Sequence, residues 1–385
     1  MIVKTCDDSR IRIAYLIDTI TCDTAGTQKQ LLETIHRLDQ KRFDPCLICL
    51  WQSDWMKQHE LPCQNFVLGY RGFIKWNFLG VIWRLAEIIK ERKLHIVQTF
   101  FEDSIFVGFL GKVFAGTSLI LLSSRRDIGL GRENKPWYHF FFALMLPWVN
   151  RCFTGIVANS EQVKLFVAKK EKTGPGKIKV IYNGVVIPEK KPAKPALFAD
   201  TNETVWIGLV ASLTSVKRHD VLINAVSELQ RKESSMEFRV LFLGEGPEYD
   251  RLTTQITELG LQNIFHFAGA VKDVPSYLYS LDIGVLCSDR EGLSNAILEY
   301  MACGLPVVAT SVGGNVELVD AENGICFPPE DHLALAAALQ SLIENPPLRK
   351  NLGEGSLRKI QQSFSWDKTM DQLENYYLAF VSNDK

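Results

Sequence analysis

Short apolar runs alternate with amphipathic stretches from end to end of the chain. IRIAYLI (11–17), FDPCLICL (43–50), HIVQTF (95–100), SLILLSS (118–124), GIVANS (155–160) and IKVIYN (178–183) read as buried parallel strands. The segments between them, such as QKQLLETIHRL and FLGVIWRLAEIIKERK, repeat their apolar positions at helical spacing. Next comes EKKPAKPALFADTN (189–202), rich in Pro, Lys and Ala and without periodicity, which reads as a linker. The alternation then restarts with VWIGLVA, FRVLFLG, IFHFAG, IGVLCS, PVVAT and GICF. The pattern predicts an α/β protein of two doubly wound domains, residues 1–188 and 203–365, facing each other across a cleft. Ligands are then expected at the carboxyl ends of the strands. SWDKTMDQLENYYLAFV reads as a separate amphipathic helix, and residues 366–385 are expected to pack back on the first domain.

Composition narrows the class. With 385 residues, 46% of them hydrophobic and 23% charged, the chain is globular and long enough for about two domains. The 26 glycines and 15 prolines are far too few for a collagen-like chain. A net charge of −1, from 43 basic and 44 acidic residues, argues against nucleic acid as a partner. That total hides an asymmetry: residues 1–185 hold 26 basic against 17 acidic residues, or +9, and the remainder 17 against 27, or −10. A basic and an acidic half imply different partners. MIVKTCDDSRIR is charged where a secretory signal needs an apolar run of about 7–15 residues. Nine scattered cysteines suit a reduced, cytoplasmic protein. Cys46 and Cys49 form a CxxC, but inside a strand and without the second CxxC of a zinc ribbon.

The longest charge-free apolar stretch, PWYHFFFALMLPWVN (136–150), falls short of the roughly 20 residues that a spanning helix needs. It is flanked by Arg132, Lys135 and Arg151, and RGFIKWNFLGVIWR (71–84) has the same mixture of aromatic and basic residues. Two readings fit both segments: apolar helices covering a parallel sheet, or an element resting on an anionic membrane at its inner face.

The densest chemistry lies in SDREGLSNAILEYMACGLPVVATSVGGNVELV (288–319). A strand ends in a loop bearing Glu291 and Gly292, and a helix containing Glu299 begins near Ser294. Gly304 and Pro306 end that helix before the next strand. A helix N-terminus directly after a strand is a phosphate site in waiting. The two carboxylates beside it suit the hydroxyls of a sugar and a ribose. Gly313-Gly314-Asn315 follows on the neighbouring strand end. Gly244-Glu245-Gly246 fails as a dinucleotide fingerprint because its third glycine position is Tyr249. The seven histidines are isolated in sequence, and only His219 stands beside candidate site residues.

These residues resemble the family-4 retaining glycosyltransferases of the GT-B fold. The E-x7-E signature stands as Glu291-GLSNAIL-Glu299, and the surrounding EGxxxxxLEAMAxGxPVVAT…GGxxE pattern is matched nearly throughout, with Tyr300 at the usual Ala. ANS (158–160), YNGV (182–185), SVKRHDVLINA (215–225), LGEGPEYDRL (243–252) and FAGAVKDVPSYLYSLDIGVLCS (267–288) are further landmarks in order.

The resemblance implies two Rossmann-like domains and transfer of a sugar from a nucleotide diphosphate sugar to a glycan or lipid-linked acceptor, with no metal or other cofactor. Glu291 would contact the donor sugar, among Gly292, Leu293, Ser294 and Asn295; Glu299 would hold the ribose and Lys217 the diphosphate. Gly244 belongs to the same donor site, and base contacts are expected around Val271. There are departures. The first-domain GG loop is Thr24-Ala25-Gly26-Thr27, Arg126 stands where a family His is expected, and Ser212 stands where many members have Arg. Arg126 and Arg218 are then the candidate replacement cations. A nucleotide-sugar epimerase and a non-catalytic partner subunit are the alternatives on the same fold.

Overall fold

The computed structural model describes residues 10–24, 26–128, 139–188, 190–199, 204–231 and 237–382. Ala25, Arg132, Lys135, the first three residues of the 136–150 stretch and the two ends of the 189–202 segment lie outside them. The chain divides into two compact units, Met1–Tyr182 together with Thr369–Lys385, and Asn183–Lys368.

The first unit contains β1 (Ile11–Ile17), α1 (Gly26–Arg37), β2 (Phe43–Cys49), α2 (Asp54–Gln58), β3 (Gln64–Val67) and α3 (Phe78–Glu91). It continues with β4 (Ile96–Phe100), α4 (Glu102–Ala115), β5 (Ile120–Arg125), α5 (His139–Cys152), β6 (Gly155–Ala158), α6 (Glu161–Lys170) and β7 (Ile178–Val180). The strands form one sheet in the order β3-β2-β1-β4-β5-β6-β7. All of its pairings are parallel. Being buried on both faces, β1 and β4 carry continuous apolar runs. β3 lacks such a run, because it is an edge strand whose Gln64 and Asn65 face solvent.

Right-handed crossovers decide which face each helix covers. The connections β3→β4, β4→β5 and β5→β6 all run in one direction across the sheet, so α3, α4 and α5 lie on one face. Their inner sides, with Val81, Leu85 and Ile89 from α3, Phe106 and Val107 from α4, and Phe142, Leu146 and Val149 from α5, close the core on that face. Close approach of α3 to α4 needs Gly111, where a Cβ would stand 2.4 Å from the Leu85 side chain.

The second unit contains β8 (Val205–Val210), α7 (His219–Arg231), β9 (Phe238–Leu243), α8 (Tyr249–Glu258), β10 (Phe265–Gly269), α9 (Val274–Leu278) and β11 (Ile283–Leu286). It continues with α10 (Asn295–Ala302), β12 (Val307–Thr310), α11 (Asn315–Leu318), β13 (Gly324–Phe327), α12 (His332–Ile343) and α13 (Pro346–Ser363). The parallel sheet order is β10-β9-β8-β11-β12-β13. Part of the 189–202 segment is anchored here rather than free: Phe198 is fully buried and meets Trp206 edge to face at 4.7 Å.

The last helix, α14 (Trp366–Ser382), belongs to the first unit from Thr369 onward. Its Tyr377 is fully buried against Phe43, and its hydroxyl lies 3.3 Å from that of Tyr15. The same hydroxyl bonds to Gln98 on β4, whose amide donates to Ser124 on β5 at 2.6 Å. A C-terminal side chain thus ties the carboxyl ends of three central strands.

Candidate active site

In an open parallel sheet the loops after two neighbouring strands diverge where the strand order reverses, and that opening accepts ligands. In the second sheet the reversal lies between β8 and β11. The loop after β8 carries Ser212, Lys217 and Arg218, and the loop after β11 carries Asp289 and Glu291. The Asp289 N–H donates to the Val216 carbonyl at 2.9 Å and joins the two loops.

Lys217 ends a 3-10 turn, Ser215–Lys217, and from it the Lys217 Nζ donates to Glu291 Oε1 at 2.6 Å. The Glu291 side chain is 8% exposed and that of Lys217 26%, so the carboxylate is largely desolvated while the ammonium stays reachable. Charge-assisted bonds of this length are among the stronger polar contacts in proteins. Three further details hold Glu291. Gly313 (φ +48) passes so close that a Cβ there would stand 1.8 Å from the Glu291 carbonyl oxygen. The Gly314 N–H donates to the Gly292 carbonyl at 2.9 Å. Ser294 caps α10, its hydroxyl accepting from the Ile297 N–H at 3.3 Å. Asn295, the first residue of α10, accepts from Asn183 Nδ2 at 2.8 Å. Glu299 is on the same helix and half-buried.

Arg218, a candidate replacement cation, is bonded to acids of the surrounding loops. In left-handed backbone geometry, its guanidinium donates to Asp220 (3.1 Å), Asp289 (3.1 Å) and Glu330 (2.7 Å). Those bonds, led by the one to Asp220, hold its pKa above the ordinary arginine value. Through these three carboxylates the cation braces the loops. Nothing in the spacing of these acids announced it. His219, suspected of nearness to the site, is a core residue. It meets Phe242 edge-on at 4.9 Å, neither ring nitrogen has a hydrogen-bond partner among the described residues, and burial pushes its pKa down to about 4.

Ser212 is exposed in the loop after β8. Gly244 follows β9 with φ +145, and a Cβ there would meet the Ala211 carbonyl oxygen at 2.0 Å, so only glycine fits between these strand ends. Val271 lies in the loop after β10, where the neighbouring Ala270 N–H donates to the Glu245 carboxylate at 3.2 Å. Tyr300, the departure from the LEA pattern, has a structural role that sequence reading missed. Fully buried, its hydroxyl accepts from the Val210 N–H (2.7 Å) and donates to the Val285 carbonyl (3.1 Å). It therefore stitches β8 to β11 at the reversal point. Tyr300 also explains why β11 has Gly284, whose Cβ would clash with the ring at 2.5 Å.

Two candidates belong to the first unit. Gly26 opens α1, and the preceding loop is pinned by the Gln28 side chain, which accepts from the N–H groups of Thr21 (2.8 Å) and Cys22 (3.2 Å). Arg126 follows β5. Its guanidinium lies 5.5 Å from the Phe100 ring centre, and burial pushes its pKa down to about 10, still far above neutrality. Beside it, Arg125 is buried in an ion pair with Glu171 (3.1 Å) and bonds to Asn150 (2.9 Å). Among the described residues no group of three or more His, Cys, Asp or Glu could hold a metal ion.

Comparison with known proteins agrees with this architecture. A family model described as glycosyl transferases group 1 matches residues 204–345, and one described as glycosyltransferase family 4 matches residues 24–187. N-acetyl-alpha-D-glucosaminyl L-malate synthase of Bacillus anthracis is 25% identical over 177 residues, 46% of either chain. A D-inositol 3-phosphate glycosyltransferase of Corynebacterium aurimucosum is 29% identical over 186 residues, 46% of this chain and 44% of that one. The chain spans about half the length of the curated relatives it matches. Among solved structures, Anabaena Alr3699/HepE in complex with UDP superposes with a TM-score of 0.79 at 20% identity, covering 96% of this chain and 100% of that one. A glycosyltransferase from Rickettsia africae gives 0.82 at 21% identity, covering 97% and 99%. These likenesses show a common two-domain Rossmann-like fold.

Proposed function

We infer, from the glycosyl transferases group 1 match over residues 204–345 and the glycosyltransferase family 4 match over residues 24–187, that this chain moves a sugar from a nucleotide diphosphate sugar to a glycan or lipid-linked hydroxyl. The observation that carries the reading is the 2.6 Å Lys217–Glu291 pair at the strand-order reversal, beside the N-terminus of α10. One partner is a reachable cation and the other a desolvated acceptor of hydroxyl hydrogens. That Alr3699/HepE is a complex with UDP supports a nucleotide diphosphate as the ligand.

In this reading the diphosphate takes Lys217 as its counter-ion, together with the backbone N–H groups of the first turn of α10. Glu291 accepts from hydroxyls of the donor sugar, Glu299 holds the ribose, and the strand ends at Gly244 and Val271 border the nucleotide. The acceptor oxygen forms its bond to the anomeric carbon as the carbon–phosphate oxygen bond breaks. The leaving diphosphate keeps that electron pair and takes the acceptor's proton, so the new bond forms on the face the nucleotide leaves and configuration is retained. A cation opposite the developing charge, Lys217, lowers the barrier, and no metal is required. The reaction is assigned to a reduced, cytoplasmic setting, supported by the described cysteines all being free thiols, with the acceptor side turned toward the inner face of the membrane.

Lys217→Ala tests the assignment by calorimetry. Nucleoside diphosphate binding should fall by about 1.5–3 kcal/mol while nucleoside binding changes little, because the cation meets only the diphosphate. Equal losses for both ligands would refute it. Glu291→Gln should keep nucleotide affinity and lower kcat and kcat/KM together; an unchanged kcat would remove Glu291 from the sugar site. Nucleotide release should require acceptor, the product should keep the donor's anomeric configuration, and EDTA should leave turnover unchanged.

A further inference from the structure

The helices α3, α4 and α5 close one face of the first sheet with their inner sides, so nothing in the core requires their outer sides to be apolar. Those outer sides nevertheless carry large apolar residues. Trp76, just before α3, is 90% exposed; Leu79 and Trp83 follow at helical spacing along α3 at 70% and 63%. On α5, Phe140, Leu144 and Trp148 recur every four residues at 73%, 71% and 55%. The helices are neighbours: α3 packs on α4 and α4 on α5. Phe73, in the loop before α3, meets Phe142 of α5 at 4.3 Å, and Phe109 of α4 meets Trp148 of α5 at 5.6 Å. The outer sides of α3 and α5 thus each carry a ridge of exposed apolar residues, and a monomeric soluble domain rarely leaves such surface uncovered.

We propose that this outer face of α3–α5 is a docking surface for an anionic lipid bilayer. Its composition favours lipid over protein as the occupant. Three of the ridge residues are tryptophans, the side chain that settles at the headgroup level of a membrane. Arg71 and Lys75 stand exposed beside Trp76, Arg84 beside Trp83, and Arg151 at the end of α5, all placed to meet lipid phosphates. Glu87 and Glu91 continue the Leu79–Trp83 line of α3, and Glu87 accepts from the Trp83 indole N–H at 2.7 Å. Glu102 and Asp103 are at the N-terminal end of α4, and Lys112 at its C-terminal end. The surface lies on the membrane rather than crossing it. At 14 residues α5 spans about 21 Å, short of the roughly 30 Å hydrocarbon core, and no described helix is long and apolar enough to cross. The lipid-linked acceptor rests on the transferase reading above; the docking surface does not.

The test is sedimentation of the full chain with vesicles of phosphatidylglycerol and of phosphatidylcholine, beside the triple variant Trp76→Ser, Phe140→Ser, Leu144→Ser. All three residues project into solvent, so the variant should unfold at the same denaturant concentration as the parent. The parent should bind phosphatidylglycerol vesicles and not phosphatidylcholine vesicles. The binding should weaken once added salt shortens the Debye length below about 8 Å. The triple variant should lose about tenfold or more in partitioning, since each side chain withdraws a large apolar area from the interface. Binding to neither vesicle, equal binding to both, or binding that the variant leaves unchanged would overturn the proposal. So would self-association of the parent, abolished by the variant without vesicle binding, which would assign the ridge to a second copy of the chain. Nucleotide release with a water-soluble acceptor should be the same for parent and variant. Absence of nucleotide release from the parent with intact vesicle binding would count against the transferase reading and not against the surface.

Discussion

Gly313→Ala should disable the site while leaving the rest of the second unit folded. The glycine has φ +48, and a Cβ added to it would stand 1.8 Å from the Glu291 carbonyl oxygen and 2.8 Å from its carbonyl carbon. Carbon and carbonyl oxygen come no closer than about 3.3 Å, so roughly 1.5 Å of separation must be made. Both neighbours are backbone, and the Gly314–Gly292 hydrogen bond holds the same two loops together. Left-handed geometry costs a non-glycine residue about 1–2 kcal/mol, and forcing the loops apart adds about 1–3, for a loss of about 2–5 kcal/mol in unfolding free energy. The functional loss should be larger in proportion. A Glu291 displaced by even about 1 Å takes its carboxylate out of hydrogen-bond reach of Lys217, and misplacement of that size costs on the order of a hundredfold in turnover. Gly116→Ala is the control. Gly116 caps α4 with φ +61 and has nothing within 4 Å of its hypothetical Cβ, so that variant bears the strain without the collision. Urea unfolding and nucleotide-release kinetics on both variants separate the two contributions. If Gly313→Ala lost no more stability than Gly116→Ala and kept full turnover, the claim that this close approach positions Glu291 would be wrong.

Tyr300→Phe should cost about 1–3 kcal/mol by urea unfolding, because it leaves the Val210 N–H and the Val285 carbonyl without their buried side-chain partner; a change under about 0.5 kcal/mol would deny Tyr300 its bridging role. His219, whose folded pKa is about 4 against an ordinary 6.5, takes up its proton only when the chain unfolds over that interval. Stability should therefore fall as pH drops from about 6.5 toward 4, by up to about 3 kcal/mol from this residue, and be unaffected by it above neutrality. His219→Leu should flatten that part of the stability–pH curve; an unchanged acid slope would mean that other groups produce it.

The strand–helix alternation and the division into two βα series were legible from the chain alone, for a physical reason. A strand buried on both faces cannot hide a polar run, so β1, β4, β8 and β11 announce themselves, whereas the edge strand β3 exposes Gln64 and Asn65 and does not. The loop from Asp289 through Ser294 was equally legible, since a helix N-terminus after a strand, a capping serine and close-packed glycines are local chemistry. Partnership is not local. Lys217 and Glu291 are 74 positions apart, and only the adjacency of β8 and β11 brings them within 2.6 Å. The same adjacency brings Asp289 to Arg218 and gives the hydroxyl of Tyr300 two strand ends to join. Nor could sequence decide what the aromatic stretches on α3 and α5 do. A helix apolar all round satisfies both a buried and an interfacial reading. The fold separated its two sides, turning Leu85 and Leu146 to the sheet and leaving Trp83 and Leu144 in solvent.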